Sequence, residues 1–336
     1  MTPLTPSPAL SPLTDPEDDD GAEAPYAADH EVRQSPVPAE WHGWRLDKVL
    51  VALAPEFSRS HHQGLIDQGL VGLDGSVASQ ASRRVKVGQQ VRVELRPTAE
   101  SLAFRPQALE LDVVFEDEHL LVVDKPAGMV VHPAAGNWSG TLLNAVLYRY
   151  PASAHLPRAG IVHRLDKDTS GLMVVGKTLQ AVTALTRAIA AREVQRLYMA
   201  IAHGVMAPGV RTVEAPVGRD PASRIRMAVH PAGRPARTDV ETVASAHGLT
   251  AVKCRLHTGR THQIRVHLAH IGHALVADRL YGGAPLLGLE RQALHAWSLG
   301  FAHPTGGLPM EFVRPPPADL ARAWKAVLQG AGDSGA

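Results

Sequence analysis

Residues 163–171, HRLDKDTSG, crowd five ionisable side chains into nine positions, and the chain then passes without a spacer into Leu172, Met173, Val174 and Val175. A short unbroken apolar run with two β-branched members belongs in a strand buried on both faces. The charged run is then a loop at the edge of a rigid sheet, a layout that holds reactive groups in place. Asp166 is flanked by Arg164 and Lys167, cations that favour a carboxylate. The bland reading is a loop stapled by surface ion pairs. The text from Gly171 to Thr178, GLMVVGKT, also fits G-x-x-x-x-G-K-[ST] letter for letter. A phosphate-cradling loop, however, must be pliant and precede a helix, whereas this segment reads as buried strand, so nucleotide binding is set aside.

Further strand-like runs cover 112–115, 120–124, 171–176, 198–203, 250–256 and 294–301, and helical spacing covers 141–150, 179–192 and 261–271. Strands and helices do not alternate strictly, which predicts a mixed or antiparallel sheet with flanking helices rather than a doubly wound fold. With 45% hydrophobic and 20% charged residues the body can bury a sizeable core. No apolar run approaches the roughly 18 residues of a membrane span. The start of the chain lacks the layout of a signal peptide, and Cys254 is the sole cysteine, both in keeping with a cytoplasmic location.

The net charge of +1 conceals an asymmetry. Residues 1–40 hold eight prolines and nine acids against Arg33 alone, a balance of −8, which leaves +9 on the rest. That leader has no apolar periodicity and reads as disordered, as does a short tail over 330–336. A basic body suits a polyanionic partner, although many enzymes are equally basic.

Residues 41–97 read as a small module. Leu46, Val49, Leu50 and Leu53 share a helical face closed by Pro55, and Ser58 or Ser60 caps a second helix that carries Leu65 and Ile66 to about Gln68. An Asp-Gly pair at Asp74 and Gly75 predicts a hairpin, and alternating valines predict strands over 85–87 and 91–95. The pattern RLDKVL…SRS…LIDQGLVGLDG resembles the S4 RNA-binding domain, which implies phosphate contacts from Arg45, Lys48 and Arg59, with Arg83, Arg84 and Lys86 as further cations. His61 and His62 stand where such domains usually carry basic residues, and Gly72, Leu73 and Asp74 replace the usual lead into the turn. Both departures imply weaker RNA contact.

Beyond a connector near 97–106, the segment 107–329 carries the remaining motifs. RTHQIRVH, from Arg260 to His267, opens a helix after Gly259, with His270 and His273 following. Zinc was weighed: His273 lies six positions past His267, about 240° around a helix, so three histidines cannot converge. Tyr198, within RLYMA, reads by itself as a core or rim aromatic.

Taken in order, HRLDKDTSGL, RLYMA and LHTGRTHQIRVHLAHIGHALVADRLYGG resemble the successive signatures of the RluA/RluD-type RNA pseudouridine synthases, over about 41–317. The resemblance implies an α+β fold, a mixed, largely antiparallel central sheet with flanking helices, behind a small N-terminal S4 domain. It implies a catalytic Asp166, with Arg265 as its basic partner and Tyr198 stacked on uracil and assisting proton removal from C5. Arg164, His163 and Arg260 would bind the substrate, Arg164 by holding the flipped nucleotide or filling the space it leaves. The expected target is 23S ribosomal RNA of the large subunit near helix 69, acted on by a monomer without membrane, cofactor or metal. Isomerising uridine oxidises nothing and loses no group. Two rivals are a non-catalytic RNA-binding scaffold, against which Asp166, Tyr198 and Arg265 together count, and a glycosidase-like hydrolase. The latter needs a second carboxylate, for which only Asp168 is near.

Overall fold

A computed structural model describes residues 31–96, 103–134, 136–223 and 225–333. The chain divides into two units, residues 1–98 and 99–336. In the first, β1 (Glu31–Pro36) precedes α1 (Leu46–Leu53), α2 (Arg59–Asp67), β2 (Val71–Leu73), β3 (Ser76–Val77) and β4 (Gln90–Leu95). Both helices form as their spacing predicts: α1 buries Leu46, Val49 and Leu50, and Ser58 caps α2 by accepting from His61 N–H at 3.2 Å. Asp74 and Gly75 both adopt positive φ, 52° and 81°, so the hairpin between β2 and β3 turns tightly in the sense that matches strand twist.

Two expectations need correction here. The strand predicted over 85–87 does not form, and β4 begins only at Gln90. The leader taken as disordered to residue 40 ends earlier: Glu31–Pro36 pairs antiparallel with the whole of β4, giving a sheet of order β1-β4-β2-β3. Val37 follows it into the core and donates its N–H to Gln89 O at 2.8 Å. Residues 1–30 lie outside the described residues.

The second unit is built on one large sheet. Its strands are β5 (Asp112–Glu116), β6 (Leu120–Lys125), β7 (Ser170–Gly176), β8 (Gln195–His203), β9 (Gly209–Glu214), β12 (Arg237–Ala246), β13 (Leu249–Leu256), β14 (Leu294–Ala302) and β15 (Pro309–Val313). A separate hairpin pairs β10 (Val217–Arg219) with β11 (Met227–Val229), and the helices are α3 (Leu142–Arg149), α4 (Leu179–Ala191), α5 (Gln263–His270) and α6 (Ala318–Asp333). The order is β5-β6-β7-β14-β8-β13-β12-β9, with β15 added on β14. Every pairing in it is antiparallel except β7 with β14. The fold is thus the mixed, largely antiparallel α+β class expected. β7 is buried along its whole length, which removes the phosphate-loop reading, because these residues are ladder and not loop.

At the β7–β14 junction Gly171 has φ +119°, and a Cβ there would lie 2.3 Å from Ala296 O. Only glycine lets the strand that follows the charged loop enter the sheet this closely. α6 overturns the predicted disordered tail as far as Asp333; residues 334–336 are outside the described set. Leu320, Ala323, Trp324 and Val327 recur on its buried side. Among the described residues no helix is long and apolar enough to cross a membrane.

A chain that starts at Trp41 should melt below one that starts at Glu31. The strand's pairing and the burial of Val37 should be worth about 1 kcal/mol or more, several degrees in a domain this small. Equal midpoints by calorimetry would show that β1 adds nothing.

Candidate active site

The charged loop is pinned from several sides. Lys125, fully buried at the end of β6, donates from Nζ to Pro126 O, Met129 O and Lys167 O at 2.8, 2.9 and 3.1 Å. Burial pushes this ammonium down to about 8, against the pull of Asp168 and Asp166. His163 Nε2 accepts the Val174 N–H at 3.0 Å, tying the loop's start to β7. Burial, then the charge of Arg196, pushes that imidazole down to about 3, so it stays a neutral acceptor. Arg291 donates to Asp168 O at 2.9 Å. Asp166 is thus presented at one edge of a cleft of about 640 Å³.

Six arginines line the cleft (158, 164, 192, 196, 260 and 265), together with His132, His163, His257 and His262, and its one carboxylate is Asp166. Arg265, on α5, reaches Asp166 Oδ2 with Nη1 at 3.1 Å, a contact spanning 99 positions of sequence. Its other edge is held more firmly: Nε and Nη2 donate to Asp278 Oδ2 and Oδ1 at 2.7 and 2.8 Å. Asp278 is 1% exposed. Burial opposes the charge on Arg265, but Asp278 first and Asp166 second outweigh it, and its pKa is raised. The expected pairing of Arg265 with Asp166 is present. Asp278 has no role legible in the sequence; the fold brings it to Arg265 as the second half of the clamp.

A second line of contacts reaches Asp166. Tyr281 Oη accepts Met227 N–H at 3.0 Å and meets His262 Nδ1 at 2.8 Å. If Tyr281 gives its proton to Nδ1, neutral His262 carries its own on Nε2, which faces Asp166 Oδ1 at 3.8 Å. Burial lowers the His262 pKa against the attraction of Asp166, which keeps the ring neutral. His262 holds φ +56°, a left-handed conformation that side chains avoid, at the first turn of α5.

The other expected residues are placed as follows. Tyr198, on β8, lines the cleft, and its hydroxyl is pushed up to about 12, chiefly by burial, with Arg196 opposing and Asp166 adding. It is therefore a neutral phenol near neutral pH, better suited to stacking than to acting as a base. Arg164 is exposed at the cleft. Arg260 donates from Nε to Pro235 O at 3.2 Å. Asp168 does not line the cleft. Two of the three histidines of the zinc reading are otherwise engaged: His267 bonds Thr238 Oγ1 and Ala215 O, each at 3.0 Å, and His273 bonds His203 O at 2.8 Å.

In the first unit Asp47, 2% exposed, accepts from both Arg45 and Arg59, at 3.0 and 2.8 Å for the Nη2 atoms. The hydrogen bond from Arg45, then that from Arg59, holds its carboxyl down to about 2 despite burial. Both guanidiniums stay largely exposed, and Lys48 Nζ lies 3.6 Å over the Trp44 ring. His62 is not a substitute for a surface cation: it is buried, with Nε2 on Ala54 O at 3.0 Å, and His61 stacks on Phe57.

Comparison with known proteins supplies the family. Residues 119–270 match the model of the RNA pseudouridylate synthase family, and residues 44–91 match the S4 domain. A protein of Xanthomonas campestris pv. campestris named ribosomal large subunit pseudouridine synthase D is 47% identical over 314 residues, 90% of this chain and 94% of that one. The chain belongs to the RNA pseudouridine synthase family. A synthase of the same name from Escherichia coli O6:H1 is 46% identical, covering 83% of this synthase and 89% of its own length. Among solved structures, human RNA pseudouridylate synthase domain containing 1 is 27% identical with TM-score 0.50, over 63% of this synthase and 85% of that chain. The synthase is accordingly an isomerase acting on RNA, with an S4 domain ahead of its catalytic unit.

Asp278→Asn leaves the buried Arg265 short of its firmer anion. Breaking a buried pair costs about 3–5 kcal/mol, so the variant should melt well below the parent and lose turnover as Arg265 swings from Asp166. A parental midpoint together with parental turnover would show that the clamp is ornamental.

Proposed function

We propose that the synthase converts uridines of 23S ribosomal RNA, in the helix 69 region of the large subunit, to pseudouridine, with Asp166 as the catalytic carboxylate. The observation that carries this reading is the single carboxylate lining an arginine-rich cleft, held at Oδ2 by Arg265. The name ribosomal large subunit pseudouridine synthase D, borne by relatives 43–47% identical, favours the large-subunit target. The enzyme would work in the cytoplasm, as a monomer.

The target base must leave its stack to reach Asp166. Arg164, exposed at the cleft, would hold the flipped nucleotide or fill the space it leaves. The C1′–N1 bond breaks, its electron pair leaving with uracil. Asp166 assists either by attacking C1′, as in a retaining glycosidase, or by abstracting a proton from the sugar. Uracil turns against the ring of Tyr198 and C5 bonds to C1′, which breaks the Asp166–C1′ ester or, on the other route, takes back the sugar proton from Asp166; the proton lost from C5 is balanced by one gained at N1. No electrons or groups are lost, so side chains alone suffice. A hydrolase would need a general acid beside Asp166, and Asp168 lies outside the cleft. In the first unit, Arg45, Arg59 and Lys48 would contact phosphates, the arginines pre-set by Asp47.

Asp166→Asn should abolish tritium release from RNA carrying 5-³H-uridine while leaving the melting midpoint nearly unchanged. Residual turnover within about tenfold of the parent would remove Asp166 from the catalytic role. Carbodiimide mapping in a strain lacking the protein should show pseudouridines missing from helix 69; losses confined to transfer RNA would redirect the substrate.

A further inference from the structure

Arg196 stands on β8 two residues before Tyr198, so both side chains leave the strand on one face, and both line the cleft. It is 6% exposed. Among the described residues its side chain makes no hydrogen bond or ion pair, and Nε is buried without a partner. The contrast with Arg265 is sharp, because that equally buried guanidinium holds two carboxylates. An arginine cannot shed its charge as a lysine can, so burial without an anion is costly for it. The cleft offers no second carboxylate, and Asp166 is engaged by Arg265. The position is nevertheless built: a Cβ on Gly259 would lie 2.8 Å from Arg196 Nη1, so bare backbone makes room for the guanidinium.

We propose that Arg196 is a phosphate-binding residue, taking a phosphodiester of the RNA beside the uridine held at Asp166. The proposal rests on the cleft being the uridine site. A phosphodiester carries the full negative charge that the buried guanidinium lacks, and the planar fork of arginine matches two of its oxygens. A uracil carbonyl is neutral and would leave the charge uncompensated. Asp166, Arg196 and Tyr198 line the same cleft, so one nucleotide can meet all three. RNA binding would thereby relieve a cost that the free protein carries.

The test uses the full chain in single-turnover assays on unmodified, transcribed large-subunit RNA, separating the half-saturating enzyme concentration from the maximal rate. Pseudouridine formation by the parent checks the functional reading by itself. Arg196→Met should raise the half-saturating concentration by about ten- to a hundredfold, the loss expected for a charged hydrogen-bonded contact. It should also reduce the slope of log affinity against log salt by about 0.7–0.9, while Arg196→Lys keeps the slope. The melting midpoint of Arg196→Met should equal or exceed the parent's, since a buried unpaired charge has been removed. Gly259→Ala, which crowds Nη1, should weaken binding in the same direction. Loss confined to the maximal rate, with affinity and slope unchanged, would assign Arg196 to the uracil instead and overturn the proposal. A lowered midpoint with parental affinity would make Arg196 structural, and would overturn it equally.

Discussion

Arg265 places one positive charge between two carboxylates, and the rest of the site depends on how it divides its donors. Two of them go to Asp278, which is buried. The third, on Nη1, is left pointing at Asp166 Oδ2. The planar guanidinium cannot turn without giving up both bonds to Asp278, so the carboxylate of a loop residue inherits the rigidity of a helix. The energy that keeps this arrangement is the cost of uncovering a buried charge, about 3–5 kcal/mol, rather than the attraction of a surface pair. The neutral line from Tyr281 through His262 lets the second carboxylate oxygen face a ring rather than a further cation.

The sheet makes that clamp possible by bringing distant segments to one edge. Asp166 precedes β7, Arg265 lies on the helix after β13, and Asp278 precedes β14. β7 and β14 are the one parallel pair, and the glycine at residue 171 admits the close approach between them. Lys125 and Arg291 then hold the loop by its backbone, through Lys167 O and Asp168 O, and the side chain of His163 ties its start to Val174 N–H of β7, leaving the Asp166 side chain to serve the cleft. The same economy appears in the first unit, where one buried carboxylate, Asp47, sets the direction of two exposed arginines.

Local signals were legible in the sequence and long-range ones were not. The two helices of the first unit, the Asp-Gly turn and the buried β7 follow from spacing, caps and turn chemistry within a few residues. Asp166, Tyr198 and Arg265 were named by motif, and the structure brings all three to one cleft. β1 is not legible locally because EVRQSP ends in proline and follows an acidic, proline-rich run, and the strand it pairs with lies some sixty residues on. His62 stands where S4 domains usually carry a basic residue, but it shares a helical face with Leu65 and Ile66, and that spacing accounts for its burial. α6 likewise carries apolar recurrence in its sequence, at Leu320, Ala323, Trp324 and Val327. Asp278 and Arg196 could not have been assigned from sequence, because what distinguishes them is burial, with a partner in one case and without one in the other.

The central claim is that Arg265 fixes Asp166 for catalysis, and three variants test it most directly. Single-turnover rates at neutral pH should fall far more for Arg265→Met than for Arg260→Met, whose guanidinium, among the described residues, bonds Pro235 O and no carboxylate. Arg265→Lys should be the mildest change at that position, retaining charge but losing the fork that binds both carboxylates. An Arg265→Met enzyme that turns over at the parental rate, or one no slower than Arg260→Met, would contradict the account.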